Sequence, residues 1–310
     1  MTAPVLGTTR IDIGICTFQR PALRDTLMSL FALTVPPDVA VRLIVADNDA
    51  QPSARDLVEE LHHQSPFPIS YVHCPKANIS IARNACLTEA TGDFLAFIDD
   101  DEMASPGWLV ELYGVALQTD ADAVLGPVQA VYGEASPPWM RKGDFHSTLP
   151  VWVNGVIRTG YTCNVLLDMR SRRIIGRRFD LALGQSGGED TQFFSALTEA
   201  GGEIAFAPRA LIEEPVPARR SSFDWLAKRR FRSGQTHGRI LALKHSGAAR
   251  LSQSALAVTK LGVCALMTVA TAFSPIVRNR YALRAALHAG AVTGLLGFRE
   301  IRQYGVAEAS

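Results

Sequence analysis

Between residues 12 and 98 the chain repeats one pattern: an apolar run without polar alternation, then a segment with helical spacing. DIGICTF (12–18), VRLIVADND (41–49), PISYVHC (68–74) and FLAFI (94–98) read as strands. PALRDTLMSLFAL (21–33), SARDLVEELHH (53–63) and ISIARNACLTEATG (79–92) read as helices, with Pro21 at a first helical position and Gly92 closing the third. A strand that is apolar on both faces must be covered on both faces, and helices that cross over between such strands provide the cover. The pattern therefore predicts an α/β domain with a mostly parallel central sheet flanked by helices. In such sheets ligands bind beyond the carboxyl ends of the strands. Thr17, Asp47, Asp49 and the run Asp99-Asp100-Asp101-Glu102 all fall at those ends.

Four successive carboxylates repel one another. They suit either a solvated acidic turn at a helix N-terminus or a bound cation. Ser105 and Pro106 read as the N-cap and first position of the next helix, which leaves the acids three to six residues upstream, beyond the reach of its dipole. That favours a hard divalent cation, Mg²⁺ or Mn²⁺, sharing its coordination with phosphate oxygens. A net charge of +1 offers no general attraction for nucleic acid. Five scattered cysteines without C-x-x-C spacing argue against a disulfide framework or zinc site and for reduced thiols in a cytosolic setting. The N-terminal segment lacks the pattern of a secretory signal.

From about 125 to 215 the chain reads as mixed strands and long loops completing the same unit. From about 216 it becomes basic and helical, then apolar over 261–277 and 281–298. Two regions are expected: 1–215 as the catalytic unit, and 216–310 as a basic helical segment with apolar C-terminal helices. The first apolar stretch is slightly short of a spanning helix and carries Pro275 near its end; the second contains Arg284 and His288. A helical pair packed on the catalytic unit, or lying in a membrane interface, is expected.

The strand end CTFQRP, the helix bearing A-R-N, the T-G-D before an Asp-x-Asp strand end, and the later SGGEDT together resemble the inverting glycosyltransferases of family 2, over roughly residues 10–235. More narrowly, VADNDAQPSARDLV, GDFHSTLPVW, RTGYTCN and KRRFRSGQTHGR resemble the β-1,4-glucosyltransferases of succinoglycan-type exopolysaccharide biosynthesis. The resemblance implies a GT-A fold with a C-terminal helical region. It also implies UDP-glucose as donor, Mn²⁺ or Mg²⁺ as cofactor and a lipid-linked oligosaccharide as acceptor. Other exopolysaccharide assembly enzymes would be partners, with peripheral attachment to the cytoplasmic face of the inner membrane.

Residue by residue, the resemblance gives Asp47 to the uracil, although an Asp in a D-N-D turn is an ordinary structural choice. Thr17 and Arg20 border the same site, Arg20 being equally suited to a surface. Arg83 lies near the phosphates, or else pairs with the acids themselves. Asn78 orders the loop before the Arg83 helix. Asp99 contacts the ribose and shares the metal with Asp101. Asp100 points the other way in an extended backbone yet remains within reach of the donor. Asp190, alone an unremarkable helix N-cap, becomes the catalytic base, with Glu189 beside it touching the acceptor. Arg230 and Arg232 belong to a mobile basic segment that closes over the diphosphate, where His237 either completes the metal's coordination or is a plain loop histidine. Trp139 and Trp152 offer stacking surfaces for an acceptor sugar or are core aromatics. Two rival readings remain. A sugar-phosphate nucleotidyltransferase would carry a glycine-rich loop after the first strand, where this chain has CTFQRP. A non-catalytic assembly protein would keep the fold but not need Asp101.

Overall fold

Every side chain of β1 (Thr9–Thr17) from Ile11 to Thr17 is buried, so this strand has to lie inside the sheet rather than at an edge. A computed structural model describing residues 8–298 places it there. The chain continues through α1 (Leu23–Phe31), β2 (Val39–Asp47), α2 (Arg55–His62), β3 (Ile69–His73), α3 (Ile79–Glu89) and β4 (Phe94–Asp99). Next come β5 (Met103–Ala104), α4 (Trp108–Thr119), β6 (Ala123–Leu125), β7 (Val128–Tyr132), α5 (Pro138–Gly143), β8 (Trp152–Val153), β9 (Val156–Ile157) and β10 (Asn164–Asp168). Then follow α6 (Glu189–Glu199), β11 (Ile204–Phe206), β12 (Ile212–Val216), a 3₁₀ turn (Ala218–Arg220), α7 (Phe223–Lys244), α8 (Gly247–Ala270) and α9 (Pro275–Leu295).

Seven strands form the central sheet in the order β11-β6-β10-β4-β1-β2-β3. The β1, β2, β3 and β4 pairings are parallel, as is β11 with β6, whereas β10 runs antiparallel to both its neighbours. One core lies on the face bearing Ile11, Ile13 and Ile15, under α1, α2 and α4. The other carries Ile44, Leu95 and Phe97 with α3 and α6, and there Phe179 stacks on Phe193 at 4.3 Å between centroids. The period-2 alternation of a strand explains why one strand feeds both cores. A second small sheet, β5-β12-β7, sits beside the end of β4.

Three local expectations are corrected. Pro21 lies in a turn, and α1 begins at Leu23. Helix α3 ends at Glu89, because the buried Asp12 carboxylate accepts the amides of Thr91 and Gly92, each at 2.8 Å, and turns the chain toward β4. Ser105 does not cap α4; its amide is drawn to the Leu211 carbonyl at 3.0 Å, and the helix starts at Trp108 without a side-chain cap.

Helices α7 and α9 pack backbone to backbone. A Cβ on Gly290 would lie 1.8 Å from the Phe231 carbonyl oxygen, and one on Gly234 1.9 Å from that of Leu287. The basic segment expected to close over the diphosphate lies within one 22-residue helix. At its start Leu226 joins Leu283, Met140 and Phe145 in a cluster that ties α9 to α5 and the α/β unit. Trp139 packs edge-on against Phe145, while Trp152 is half exposed and lies edge-on to Phe206. Helix α8 begins well upstream of the apolar stretch, spans 24 residues and is long and apolar enough to cross a membrane by length and composition. Pro275 does not end this helix but opens the next one. All five cysteines are free thiols.

Candidate active site

Parallel pairing puts Cys16 of β1 opposite Asp99 of β4 and Thr17 opposite Asp47 of β2, so three strand ends converge. Beyond them opens a cleft of about 620 Å³ lined on this side by Thr17, Arg20, Arg83, Asp99, Asp100 and Asp101. The far wall comes from Glu214, Arg220, Trp225, Lys228, Arg229 and Arg232.

The acidic run is no longer extended after Asp99. The chain turns at Asp100–Asp101, and the Glu102 amide donates back to the Asp99 carbonyl at 3.3 Å. That turn overrides the expectation that Asp100 points away, for Asp99, Asp100 and Asp101 all line the cleft. The Asp100 carboxylate meets Arg20 Nε at 3.7 Å and accepts the Phe18 amide at 3.4 Å. Asp101 lies between Arg20 Nη1 at 3.5 Å and Arg220 Nη2 at 3.4 Å. Glu102 is buried, and its Oε2 accepts the Asp99 amide at 3.0 Å. Enclosure raises these acids: Asp99 goes up to about 7, with Asp101 and Asp190 adding repulsion. Asp100 goes up to about 8 through burial and the Asp101 charge, and Glu102 rises well above the usual range through burial and Asp99.

Arg83, buried on α3, joins the acids to the other motif. Its Nη1 donates to Glu189 Oε1 and, at 2.6 Å, to Asp190 Oδ1, while Nη2 stands 4.0 Å from Asp99 Oδ1. Gly188 in the left-handed region, not Asp190, occupies the N-cap of α6, so both acids sit in its first turn. Asp190 also accepts from Thr162 Oγ1 at 3.1 Å and keeps its side chain 23% exposed. Glu189 is almost wholly buried, its Oε2 has no hydrogen-bond partner among the described residues, and burial with the Asp190 charge pushes it up to about 7. Neither acid lines the cleft itself; Arg83 is the wall between.

Other expected residues are placed differently. Asp47 is fully buried behind the wall, and both of its oxygens are taken: Oδ1 by the Asp49 amide at 3.0 Å, Oδ2 by the Ala54 amide at 2.9 Å and the Tyr71 hydroxyl at 2.7 Å. An aspartate at a strand end folds back on the amides of its own turn, so its neighbour Asn48 lines the cleft instead. Asn78 is the N-cap of α3, accepting the Ser80 amide at 3.0 Å and donating to the Leu181 carbonyl at 2.9 Å, and so orders the loop from behind. On α7, Arg229 and Arg232 share a face three residues apart and line the cleft. Arg230, one residue on from Arg229, turns about 100° away into a different cleft. His237 lies outside the cleft, where desolvation, and then the charges of Lys260 and Lys244, lower its pKa. The helical register, fixed by the glycine contacts with α9, excludes Arg230 and His237 from this site.

Sequence reasoning missed Glu214, Arg220 and Trp225 as one unit. Arg220 donates to Glu214 Oε1 at 2.9 Å and lies over the Trp225 ring at 5.7 Å from its centroid. Only the inward alternation of IEEPV signals Glu214, and its place depends on the β12–β7 pairing. Cys163 was also missed; with Asp99 and Glu102 it brings ligand atoms within 4.8 Å of one another.

The cleft suits a hard divalent cation. Asp99, Asp100 and Glu102 are crowded carboxylates held in a raised state that a cation would relieve, and oxygen is what Mg²⁺ and Mn²⁺ prefer. The Cys163 thiol is a soft donor, unlike the oxygen ligands that Mg²⁺ and Mn²⁺ prefer.

Residues 12–175 match Glycosyl transferase family 2. The chain is 60% identical over 301 residues, 97% of each protein, to the succinoglycan biosynthesis protein ExoM of Rhizobium meliloti (strain 1021). It is 24% identical over 73% of its length, and 75% of the relative's, to a glucosyl-dolichyl phosphate glucuronosyltransferase of Haloferax volcanii. In fold it is similar to the mannosyltransferase PcManGT from Pyrobaculum calidifontis in complex with GDP-Man and Mn²⁺, with a TM-score of 0.62 at 17% identity, covering 94% of this chain and 88% of that one.

Proposed function

Because this chain belongs to glycosyl transferase family 2 and has the GT-A fold, we propose that it is an inverting, metal-dependent transferase. It moves glucose from UDP-glucose to a lipid-linked oligosaccharide during assembly of a succinoglycan-type exopolysaccharide, forming a β-1,4 bond. The observation that supports this reading is the contact of Arg83 with both Asp190 and the Asp99 edge of the acidic turn, an arrangement suited to a base working beside a phosphate and a metal. The 60% identity to a succinoglycan biosynthesis protein supports the pathway.

Asp99 and Asp101 would hold Mg²⁺ or Mn²⁺, with Asp100 behind them. The ion when bound supplies positive charge to the departing diphosphate. Arg20, Arg220, Arg229 and Arg232 line the same cleft and take the diphosphate's remaining charge. Thr17 closes the wall at the end of β1. Asp190 accepts the proton of the acceptor hydroxyl as that oxygen bonds to the anomeric carbon. The bond from that carbon to the diphosphate oxygen breaks, and UDP leaves with the electron pair. Glu189, buried beside it, is the less accessible carboxylate and serves to hold Arg83. The exposed apolar helix α8 suits peripheral attachment at the cytoplasmic face of the inner membrane, where a lipid-linked acceptor and the other assembly enzymes would be met.

The test is calorimetric binding of UDP-glucose with and without Mn²⁺, against UDP-galactose and GDP-mannose. Mn²⁺-dependent binding that favours UDP-glucose is expected. Binding of none of the three by folded protein would transfer the reading to a non-catalytic assembly role.

A further inference from the structure

A second cleft, of about 290 Å³, opens where α7 and α9 meet the loop after α5, away from the acidic turn. Three guanidinium groups line it, Arg230 from α7 and Arg280 and Arg284 from α9, over a floor of Phe145, Leu283 and Leu287. The single carboxylate present, Asp144, already accepts from Ser147 Oγ at 2.7 Å and from the Tyr132 hydroxyl at 3.3 Å. Arg280 donates to the Gly143 carbonyl at 2.8 Å, and Arg284 lies over the Tyr281 ring. Among the described residues Arg230 makes no hydrogen bond or ion pair. Desolvation and the charges of Arg229 and Arg284 lower its pKa, which marks cations crowded without a counter-charge.

The charge distribution of the region reinforces this. From Trp225 to Phe298 the sequence contains eleven Lys and Arg and no Asp or Glu. The one acid on α7, α8 or α9 is Asp224, just before this stretch, and it is paired with Lys228 at 2.7 Å. Next to it the chain is apolar and exposed: Phe273 is 86% and Val277 38% accessible, both within two helical turns before Arg280 in sequence.

We propose that the Arg230–Arg280–Arg284 cleft is a phosphate-binding site that takes the phosphate of a lipid, its guanidinium groups on the phosphate oxygens and its apolar floor on the first carbons. A guanidinium fork matches phosphate geometry, and a polar head joined to an apolar chain matches a cleft with that lining. A membrane phospholipid and the phosphate of a lipid-carried sugar share this chemistry. The site is separate from the donor cleft and stands whether or not the transfer assignment above is right.

The experiment measures sedimentation of the full chain with vesicles of phosphatidylcholine containing phosphatidylglycerol, comparing the wild type, Arg230→Gln/Arg284→Gln, and Lys244→Gln/Lys260→Gln. The last pair removes the same charge from α7 and α8 outside the cleft. Vesicle binding should weaken about tenfold in the arginine variant and much less in the lysine variant. Arg230→Lys/Arg284→Lys should recover only part of it, since lysine keeps charge but loses the fork. Equal losses in the arginine and lysine variants, or none in either, would overturn the site. Displacement of wild-type protein by millimolar pyrophosphate would identify a site open to any phosphate group. Resistance to pyrophosphate with the tenfold loss intact would identify a headgroup read only in the bilayer. Far-ultraviolet circular dichroism confirms that each variant is folded.

Discussion

Arg83 Nη1 stands 2.6 Å from Asp190 Oδ1, joining a helix before the acidic turn to a helix 107 residues further along the chain. The same nitrogen holds Glu189, and the other arm of the guanidinium faces Asp99. One buried cation thus sets the positions of the proposed base and one side of the proposed metal site.

Asp190→Asn removes the proton acceptor while keeping the shape and, through Oδ1, the Thr162 Oγ1 contact. Transfer to the acceptor should fall by about 100-fold or more, with UDP-glucose affinity within about twofold of the wild type. A radiolabelled transfer assay alongside calorimetry separates the two quantities. Near-wild-type turnover would mean that the base lies elsewhere.

Asp101→Asn acts on binding instead. Asp101 sits between Arg20 and Arg220 at the mouth of the cleft, and its loss leaves two guanidiniums without that carboxylate. Mn²⁺-dependent affinity for UDP-glucose should drop by at least about tenfold, while metal-free binding changes little. Titration at several Mn²⁺ concentrations reads this directly.

Gly290→Ala should destabilise the C-terminal helices, because its Cβ would enter the Phe231 carbonyl at 1.8 Å. The cost is about 2 kcal/mol or more, opposite in sign to the usual gain of alanine over glycine within a helix. Gly262→Ala on α8, with nothing within 4 Å, is the matched control and should be neutral or slightly stabilising. Urea unfolding followed by circular dichroism distinguishes them.

His146 predicts a pH dependence of stability. It is buried, with Nδ1 3.2 Å from the Tyr132 hydroxyl, Nε2 3.2 Å from the Arg220 carbonyl oxygen and its ring stacked on Trp225. Burial, with the charges of Arg229 and Arg220 outweighing that of Asp144, lowers its pKa to about 4. The unfolded imidazole, near 6.5, binds a proton more readily than the folded one. Its stability contribution is therefore fully present above about pH 6.5 and is lost as pH falls through about 4, by at most ~3 kcal/mol. His146→Gln should flatten that part of the profile relative to the wild type. An unchanged slope between pH 4 and 6.5 would show that other groups carry it.

Much of the catalytic half was legible because its signals are local. Uninterrupted apolar strands separated by helices determined a sheet covered on both faces, and the placement of polar residues at strand ends determined where the cleft would open. Each of these is a matter of period and sequence order. Asp47 was harder to read, since an aspartate in D-N-D looks the same whether it faces a ligand or its own turn. Only the folded loop shows both oxygens spent on amides and on Tyr71.

The sequence by itself determined the α/β class, the acidic strand end, the Glu189-Asp190 pair and the basic stretch from Trp225 to Phe298, which has no Asp or Glu. Tertiary structure alone decided which charges meet. Arg83 reaches Asp190 because α3 and α6 cover the same face of the sheet, and Glu214 reaches Arg220 because β12 pairs with β7. On α7 the rotation that sends Arg229 and Arg232 to one cleft and Arg230 to another follows from glycines on two helices that touch only after folding. Side-chain direction about a helix is set by what the helix packs against, and that information is distributed over contacts far apart in the chain.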